Sequence, residues 1–193
     1  MIRILGIREI GFERFLRNVK YRRHRYRQFI GIFFIFILTA AGVPVAGIFG
    51  VGAAFVLAGS VVRMWASGHI KKNTELATDG PYAYVRHPLY VGNILLGIGY
   101  CFASGLWWSA PLLCAILIFF YPQAIRHEDQ KLHRLFKEDW EVWRKRTYAL
   151  IPRFKASECS GGDWSFWQSL RQNGEPIIGA VLFACLYVLY RKL

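Results

Sequence analysis

The feature that most constrains this chain is a long run without charge, from Phe29 to Val62. One straight helix over this run and on to Ala66 would be ~57 Å long at ~1.5 Å per residue, about twice the ~30 Å hydrocarbon core of a bilayer. The middle of the run, AAGVPVAG at 40–47, has the glycines and the proline of a turn. The sequence therefore predicts two membrane-spanning helices, roughly 29–43 and 47–66.

A second uncharged run extends from Pro88 to Ile125 and is interrupted at ASGLWWSAP, 103–111. It predicts a second helical hairpin, with Trp107 and Trp108 as anchors at the membrane interface. The shorter apolar run at 176–190 is either a fifth span or a helix packed obliquely against the others. The expected fold class is all-α, a polytopic membrane helical bundle of four to five transmembrane helices.

The charge of the chain fits this membrane fold. A formal charge of +13 accompanies 54% hydrophobic residues in 193 residues, a length that suits one domain. Basic residues beside apolar spans are typical of membrane proteins, so no nucleic-acid partner is expected. Nearly all Lys and Arg residues lie in the N-terminal region, 67–88 and 126–175, and the two hairpin turns have none. The positive-inside rule therefore predicts that the N-terminus and these segments are cytoplasmic.

Residues 1–28 form a separate region with nine Lys/Arg and two Glu. Apolar residues recur there at near-helical spacing, which predicts a basic amphipathic helix lying on the anionic lipids of the cytoplasmic leaflet. The alternative is a solvated basic tail, and the basic stretch is too long for a cleaved signal peptide. The expected organisation is this interfacial helix at 1–28, followed by one membrane domain at 29–193.

The cysteine and histidine patterns indicate neither disulfides nor a metal site. Three of the four cysteines lie in apolar runs, no CxxC occurs, and buried free cysteines behave as small hydrophobic residues. His127 and His133 are six residues apart, which is not the HExxH spacing of a zinc protease. No P-loop, GxGxxG or GxSxG motif occurs. His69 and His24 have no sequence neighbours that assign them a role.

The stretch TDGPYAYVRHPLYVGN, 78–93, concentrates polar chemistry at the start of the second hairpin. Its Asp-Gly-Pro at 79–81 is a turn signal, and Pro88 suits the first position of a helix. Arg86 and His87 are therefore expected at interfacial depth, just before a membrane helix. Gly92 lies one turn into that helix, where a missing side chain lets another helix or a ligand approach the backbone.

A second polar cluster follows the fourth span. At helical period one face carries Glu128 with, in order, Leu132, Leu135 or Phe136, Trp140 and Trp143, and Asp129 lies beside Glu128. A carboxylate on such an apolar stripe is costly unless it is paired. Two explanations are open: a ligand or cationic partner binds there, or Glu128 forms an ion pair with Arg86 or Arg126.

The two clusters are expected to meet, because both ends of the second hairpin lie on the same side of the membrane. Such a site offers carboxylates for an ammonium group or ribose hydroxyls, and aromatic faces for a cation. Charged residues lie outside it and an apolar hairpin lies alongside. The combination suits a polar cofactor from the cytosol that meets a lipid-like substrate from the bilayer.

The residues GPYAYVRHPLYVGNILLGIG, followed after one span by EDQKLHRLFKEDWEVWRKRTYALIP, resemble the isoprenylcysteine carboxyl methyltransferase and phospholipid methyltransferase superfamily. The match covers residues 80–152, the functional core. The resemblance implies S-adenosylmethionine as methyl donor at the cytoplasmic face. It implies His87, Arg86 and Glu128 as catalytic residues. The cofactor-binding residues that it implies are Tyr82, Val85, His87, Pro88, Tyr90, Gly92, Glu128, Asp129, Trp140 and Trp143.

The chain departs from the family pattern at four positions, one of which is Asp129 in place of a second Glu, a change that keeps the charge. Trp140 and Trp143 stand where the family has tyrosines, and Lys137 stands where it has glycine. Glycine at that position would permit a turn that lysine resists.

The expected function is methyl transfer from S-adenosylmethionine to a lipidic or lipidated acceptor, with an isoprenylcysteine-type carboxylate favoured. Such a carboxylate is ionised near pH 7 and needs no general base. The first alternative is a phospholipid amine such as phosphatidylethanolamine, for which His87 or a carboxylate would accept the proton. Two further alternatives are an NADPH-dependent sterol-type reductase, because that family has a similar core, and a non-enzymatic membrane protein.

Overall fold

The computed structural model of the chain describes residues 28–70, 75–154, 163–170 and 174–193. The predicted interfacial helix therefore lies outside the described residues. The described part contains helices and no strand. The helices are α1 (Gln28–Ala41), α2 (Ala46–His69), α3 (Pro88–Ser104), α4 (Ser109–Arg146), α5 (Phe166–Gln168) and α6 (Glu175–Tyr190), with a 3-10 turn at Gly80–Ala83.

Both predicted breaks separate helices. α1 ends at Ala41 and α2 begins at Ala46, while α3 ends at Ser104 and α4 begins at Ser109. The two connections lie together at one end of the bundle, where the Val43 amide donates a 2.8 Å hydrogen bond to the Ser104 carbonyl. We call this the hairpin end and the opposite end, which carries residues 78–93, the motif end.

The helices confirm the all-α membrane bundle. α2 and α4 are long and apolar enough to cross a membrane, and α1, α3 and α6 are shorter apolar helices. α6 runs from the motif end to the hairpin end: Glu175 contacts Arg63 of α2, and Lys192 Nζ donates 2.7 Å hydrogen bonds to the carbonyls of Thr39 and Ala40. The final apolar run thus passes alongside the other helices.

Glycines bring α2 and α3 close together. Gly52 faces Gly99 and Gly59 faces Gly92, so that a Cβ on Gly52 would lie 2.6 Å from the Gly99 carbonyl oxygen and one on Gly59 would lie 2.8 Å from the Gly92 oxygen. The glycines are seven residues apart on each helix and therefore repeat on one face. Small residues are the usual means of close helix packing within a membrane. This contact positions the beginning of α3, and with it the predicted motif.

The core lies between α1, α2, α3, α4 and α6. Its buried residues include Leu38, Val56, Tyr100, Leu113 and Leu189. The Tyr100 hydroxyl donates a hydrogen bond to the Leu182 carbonyl of α6, which satisfies a polar group that would otherwise be costly inside the bundle.

Candidate active site

The predicted motif folds as a turn followed by a helix start. The Tyr82 amide donates to the Asp79 carbonyl at 2.9 Å, and Pro88 is the first residue of α3. The backbone of Arg86 and His87 is extended enough to pair with the chain that follows α4. The Arg86 amide donates to the Tyr148 carbonyl at 2.8 Å, and the His87 amide donates to the Ala149 carbonyl at 3.0 Å. The segment after α4 therefore fixes the backbone of Arg86 and His87 through two hydrogen bonds.

The side chains of the two clusters meet, as expected from the hairpin. His87 Nε2 lies 3.1 Å from Asp129 Oδ1, within hydrogen-bond distance. Arg86 Nε lies 3.4 Å from the same oxygen, close enough for an ion pair, but it makes no hydrogen bond. The Tyr90 hydroxyl donates a 2.6 Å hydrogen bond to Glu128 Oε2, and its ring stacks on the His87 ring at 5.2 Å between centroids.

The structure separates the roles of the two acidic residues. Asp129, with 16% of its side chain exposed, forms the ion pair with Arg86. Glu128 bonds the neutral Tyr90 hydroxyl, its nearest contact with His87 is 3.8 Å, and 45% of its side chain remains exposed. The ion pair with Arg86 is therefore made by Asp129, whereas Glu128 bonds Tyr90 and its side chain stays partly exposed.

A sharp bend in α4 shapes the site. Lys137 has φ 43° and ψ −111°, a conformation that favours glycine and interrupts the helix. The chain therefore makes the turn that the family glycine implies, although lysine occupies the position. Because of the bend, Trp140 and Trp143 do not continue one straight face from Glu128. Trp143 is buried and donates from Nε1 to the Tyr82 carbonyl at 3.1 Å.

A cavity of about 270 Å³, which we call the motif cavity, lies beside the motif. Seven of the predicted site residues line it: Tyr82, Arg86, His87, Pro88, Tyr90, Glu128 and Trp143. Leu132 and Phe136 of α4 form its apolar wall, and Glu75 and Lys131 add charge.

A second cavity of about 400 Å³, which we call the apolar cavity, lies among α1, α3, α4 and α6. Aliphatic side chains are the largest group in its wall, with Ile35, Leu96 and Leu117 among them. Leu89, Tyr90 and Glu128 line both cavities. The hydrogen-bonded pair of Tyr90 and Glu128 therefore stands where the two cavities adjoin.

The other predicted site residues lie elsewhere. Val85 is buried and lines neither cavity, and Gly92 lies against Arg63 and Gly59. Asp129 and Trp140 line a separate groove of about 440 Å³ on α4. The groove also includes Arg126, Gln130, His133 and Arg144.

Burial shifts the pKa values of two residues in the motif, Tyr82 and Arg86. Burial raises the pKa of the Tyr82 phenol well above its ordinary value, and the Glu128 carboxylate adds to this. Burial also lowers the pKa of the Arg86 guanidinium, while Asp129 acts in the opposite direction. Tyr82 is therefore a neutral phenol at physiological pH, able to donate a hydrogen bond.

Several polar contacts were not found from the sequence. Arg63 forms a buried ion pair with Glu175 and a hydrogen bond with Asn93. A lone arginine near the end of an apolar helix was the available signal, since ionisable groups inside spans usually mark function. His69, which has no evident partner in the sequence, lies 2.8 Å from Asp79 through Nδ1. That pair holds the loop before the 3-10 turn.

A model of a known protein family matches the part of the chain that contains the motif. Residues 37–139, more than half of the chain, match the family model described as phospholipid methyltransferase. The chain belongs to the phospholipid methyltransferase family. The matched range of this family member contains the motif, Glu128 and Asp129, and it ends just before Trp140. The predicted family is thus confirmed.

Three curated relatives extend the comparison. The nickel-cobalt-cadmium resistance protein NccN of Alcaligenes xylosoxydans xylosoxydans is 37% identical over 56% of this chain and 51% of its own length. The cobalt-zinc-cadmium resistance protein CzcN of Cupriavidus metallidurans is 42% identical over 49% and 44%. The protein-S-isoprenylcysteine O-methyltransferase of Schizosaccharomyces pombe is 33% identical over 63% and 51%.

The chain spans about half the length of the curated relatives it matches. No solved structure matches it. In the part of the chain that the structure describes, no three His, Cys, Asp or Glu side chains cluster as metal ligands would.

Proposed function

We propose that the protein is an S-adenosylmethionine-dependent methyltransferase that acts on a lipidic acceptor. The observation that carries the proposal is the position of Tyr90 and Glu128, which are joined by a 2.6 Å hydrogen bond and line both cavities. The motif cavity has Arg86, His87 and Lys131 beside its aromatic rings, and the apolar cavity has a longer aliphatic surface from α1, α4 and α6. A water-soluble donor and an apolar acceptor can therefore approach the same point from different sides.

The motif cavity has groups that fit the methyl donor. S-adenosylmethionine supplies a methyl group on a positively charged sulfur. Glu128 would face positive charge or ribose hydroxyls, and the rings of Phe136 and Trp143 offer apolar and cation–π surfaces. Arg86 Nε is buried and has no hydrogen-bond partner among the described residues. Buried donors are usually satisfied, so this one supports a ligand that supplies a hydrogen-bond acceptor. These groups position a reactant that is already activated, and the cavity limits the access of water.

The apolar cavity fits the acceptor. Its aliphatic lining from α1, α4 and α6 suits an acyl or prenyl chain that comes from the bilayer. The reacting group of such a molecule would lie near Tyr90, at the end of the cavity that adjoins the donor. Within this proposal His87 is a positioning residue, since it stacks on Tyr90 and hydrogen-bonds with Asp129.

A carboxylate is the favoured acceptor group, as in isoprenylcysteine. The relative from Schizosaccharomyces pombe is named for O-methylation of that group, and an ionised carboxylate needs no base. The family name favours a phospholipid as the second candidate. For an amine acceptor Glu128 would accept the proton, because one of its oxygens bonds Tyr90 while the side chain stays partly exposed.

We also propose that the motif end faces the cytoplasm. Among the described residues, Arg86 and the basic residues of 126–154 lie at this end. The hairpin turns at the other end carry no charge, and the basic residues described there are Arg191 and Lys192 after α6. This arrangement satisfies the positive-inside rule. It would also give the motif cavity access to the soluble methyl donor.

The function is tested by transfer of a labelled methyl group from S-adenosylmethionine to lipids in liposomes. Isoprenylated cysteine and phosphatidylethanolamine are supplied in parallel, and the products are treated with mild base. Label that base releases from the cysteine product supports O-methylation, and stable label in the lipid supports N-methylation. Binding of NADPH with no binding of S-adenosylmethionine would contradict the proposal and favour a reductase.

A further inference from the structure

A charged cluster lies inside the bundle, where charges are rare. Arg63 Nη2 donates to Glu175 Oε1 at 2.6 Å, and Arg63 Nε donates to Glu175 Oε2 at 3.0 Å. Arg63 Nη1 also donates to the Asn93 side-chain oxygen. Only 12% of the Arg63 side chain and 6% of the Glu175 side chain are exposed. The cluster therefore joins α2, α3 and α6 in a nearly buried place.

Stability alone is a weak reason for such a cluster. Removing two charges from water costs more than their attraction returns unless the geometry is excellent, and apolar replacements are often equally stable. Ionisable residues within membrane helices instead face cavities and bind ligands or protons. Arg63, Asn93 and Glu175 all line the apolar cavity. The cluster thus lies on the wall of this cavity, beside aliphatic residues of α3, α4 and α6.

The cluster lies one helical turn from Tyr90, near which the reacting group of the acceptor is proposed to lie. Asn93 follows Tyr90 by three residues on α3, so the two side chains share a face and are offset by ~4.5 Å along the helix. Gly92 makes room for the arginine, since a Cβ there would lie 2.5 Å from Arg63 Cγ. The glycine of the motif therefore lets the arginine side chain pass over α3 and reach the cavity.

Arg63 has hydrogen-bond donors left over. A guanidinium carries five N–H groups, and the contacts with Glu175 and Asn93 use three of them. Among the described residues the remaining two have no partner, and there is one on each terminal nitrogen. Two such donors match the two oxygens of a carboxylate or phosphate. Glu175 keeps the guanidinium in place, because it holds the Nε side of the group.

We propose that Arg63 is a specificity-determining residue that binds the oxyanion of the lipidic acceptor. The ligand is an apolar chain that ends in a carboxylate or a phosphate. The chain occupies the aliphatic part of the cavity, and the oxyanion lies between Arg63 and the pair of Tyr90 and Glu128. This inference rests on the proposed function, because it assigns the recognition of the acceptor in the same site.

The test measures the binding of three labelled probes of matched chain length to the purified protein in detergent. The probes are palmitate, hexadecyl phosphate and the uncharged palmitamide. Scintillation proximity reports binding without any methyl transfer. The parent protein is expected to bind palmitate or hexadecyl phosphate at least ~10-fold more tightly than palmitamide. A preference for palmitate identifies a carboxylate acceptor, and a preference for the phosphate identifies a phospholipid headgroup.

Two double variants separate recognition from structure. Arg63→Gln with Glu175→Gln removes both charges and leaves neither unpaired, and Arg63→Met with Glu175→Leu replaces the ion pair by apolar side chains. Both variants are expected to lose the preference for the charged probes, while thermal unfolding shows that each is folded. If a folded variant of either kind keeps the parent's preference, Arg63 only connects the helices and the inference is wrong.

A parallel titration of the parent protein with S-adenosylmethionine distinguishes the two proposals. Binding of S-adenosylmethionine without any preference among the probes would overturn this inference alone. A preference for the charged probes without binding of S-adenosylmethionine would overturn the proposed function and leave an oxyanion site at Arg63.

Discussion

The Tyr90 hydroxyl donates a 2.6 Å hydrogen bond to Glu128 Oε2, and both side chains line the motif cavity and the apolar cavity. Tyr90 comes from the first turn of α3 and Glu128 from the second half of α4. One contact between helices therefore forms part of the wall of two adjoining cavities. The proposed function depends on this contact more than on any other.

Replacement of Glu128 by glutamine is expected to weaken the binding of S-adenosylmethionine about tenfold, which corresponds to ~1.4 kcal/mol. The amide keeps the shape and a hydrogen-bond acceptor for Tyr90 but removes the negative charge. Calorimetric titration measures the affinity, and thermal unfolding should be nearly unchanged because Glu128 is 45% exposed. Glu138→Gln, on the exposed part of α4 after the bend, is the matched control. Equal affinities for the parent and both variants would remove Glu128 from the site.

Replacement of Asp129 by asparagine is expected to lower stability instead. The change leaves the buried Arg86 guanidinium without its carboxylate and weakens the contact with His87, at a cost of about 1–3 kcal/mol. The melting temperature of the purified protein should fall, whereas Asp139→Asn on the exposed side of α4 should have no effect. An unchanged melting temperature for Asp129→Asn would show that the ion pair adds little.

Replacement of Lys137 by glycine is expected to stabilise the protein by about 1–3 kcal/mol, the usual cost of an unfavourable backbone conformation. The residue has φ 43° and ψ −111°, which glycine adopts without steric conflict. Lys145→Gly, in the regular part of the helix, should destabilise the protein and serves as the control. A lower melting temperature for Lys137→Gly would mean that the lysine side chain makes a compensating contact.

Replacement of Gly92 by alanine is expected to destabilise the protein by about 1–3 kcal/mol through overpacking. The added Cβ would lie 2.5 Å from Arg63 Cγ and 3.0 Å from the Gly59 carbonyl oxygen. Gly179→Ala on α6 meets open space and should stabilise the protein by up to about 1 kcal/mol, because alanine favours a helix over glycine. The resemblance assigned Gly92 to the cofactor, so weaker binding of S-adenosylmethionine with unchanged stability would support that role over packing.

Deletion of residues 1–20 tests the basic N-terminal region. Its positive charge is expected to hold the protein near anionic lipid, so activity in liposomes that contain phosphatidylserine should fall. Activity in neutral liposomes should change little, which makes these liposomes the control. Full activity of the shortened protein in the anionic liposomes would show that the region is not needed to hold the protein near anionic lipid.

The sequence predicted the helices well because the residues that form or interrupt a helix are neighbours in the chain. The breaks at 40–47 and 103–111 contain the residues that cannot continue a membrane helix, and the structure ends helices at both places. The motif at 78–93 was also recognisable, since Pro88 begins α3 and a tight turn precedes it. These features depend on residues that are neighbours in the chain.

The bend in α4 shows where local reasoning was insufficient. Lysine does not favour a backbone with positive φ. The straight helical face expected from Glu128 to Trp143 therefore included no bend at Lys137. The structure turns at Lys137, which places Trp143 in the motif cavity and Trp140 in the groove. Packing of the tryptophans against the buried Tyr82 and Ala66 overrides the preference of the lysine.

The sequence by itself determined an all-α membrane protein, the two breaks between its helices and the two clusters that form the candidate site. Only the tertiary structure decided that Asp129 pairs with Arg86, that Glu128 bonds Tyr90, and that Arg63 reaches Glu175. The physical reason is that hydrophobic pattern and turn residues act along the chain, over a few positions. The partner of a buried charge depends on which helices pack together, and residues 63 and 175 become neighbours only in the folded bundle.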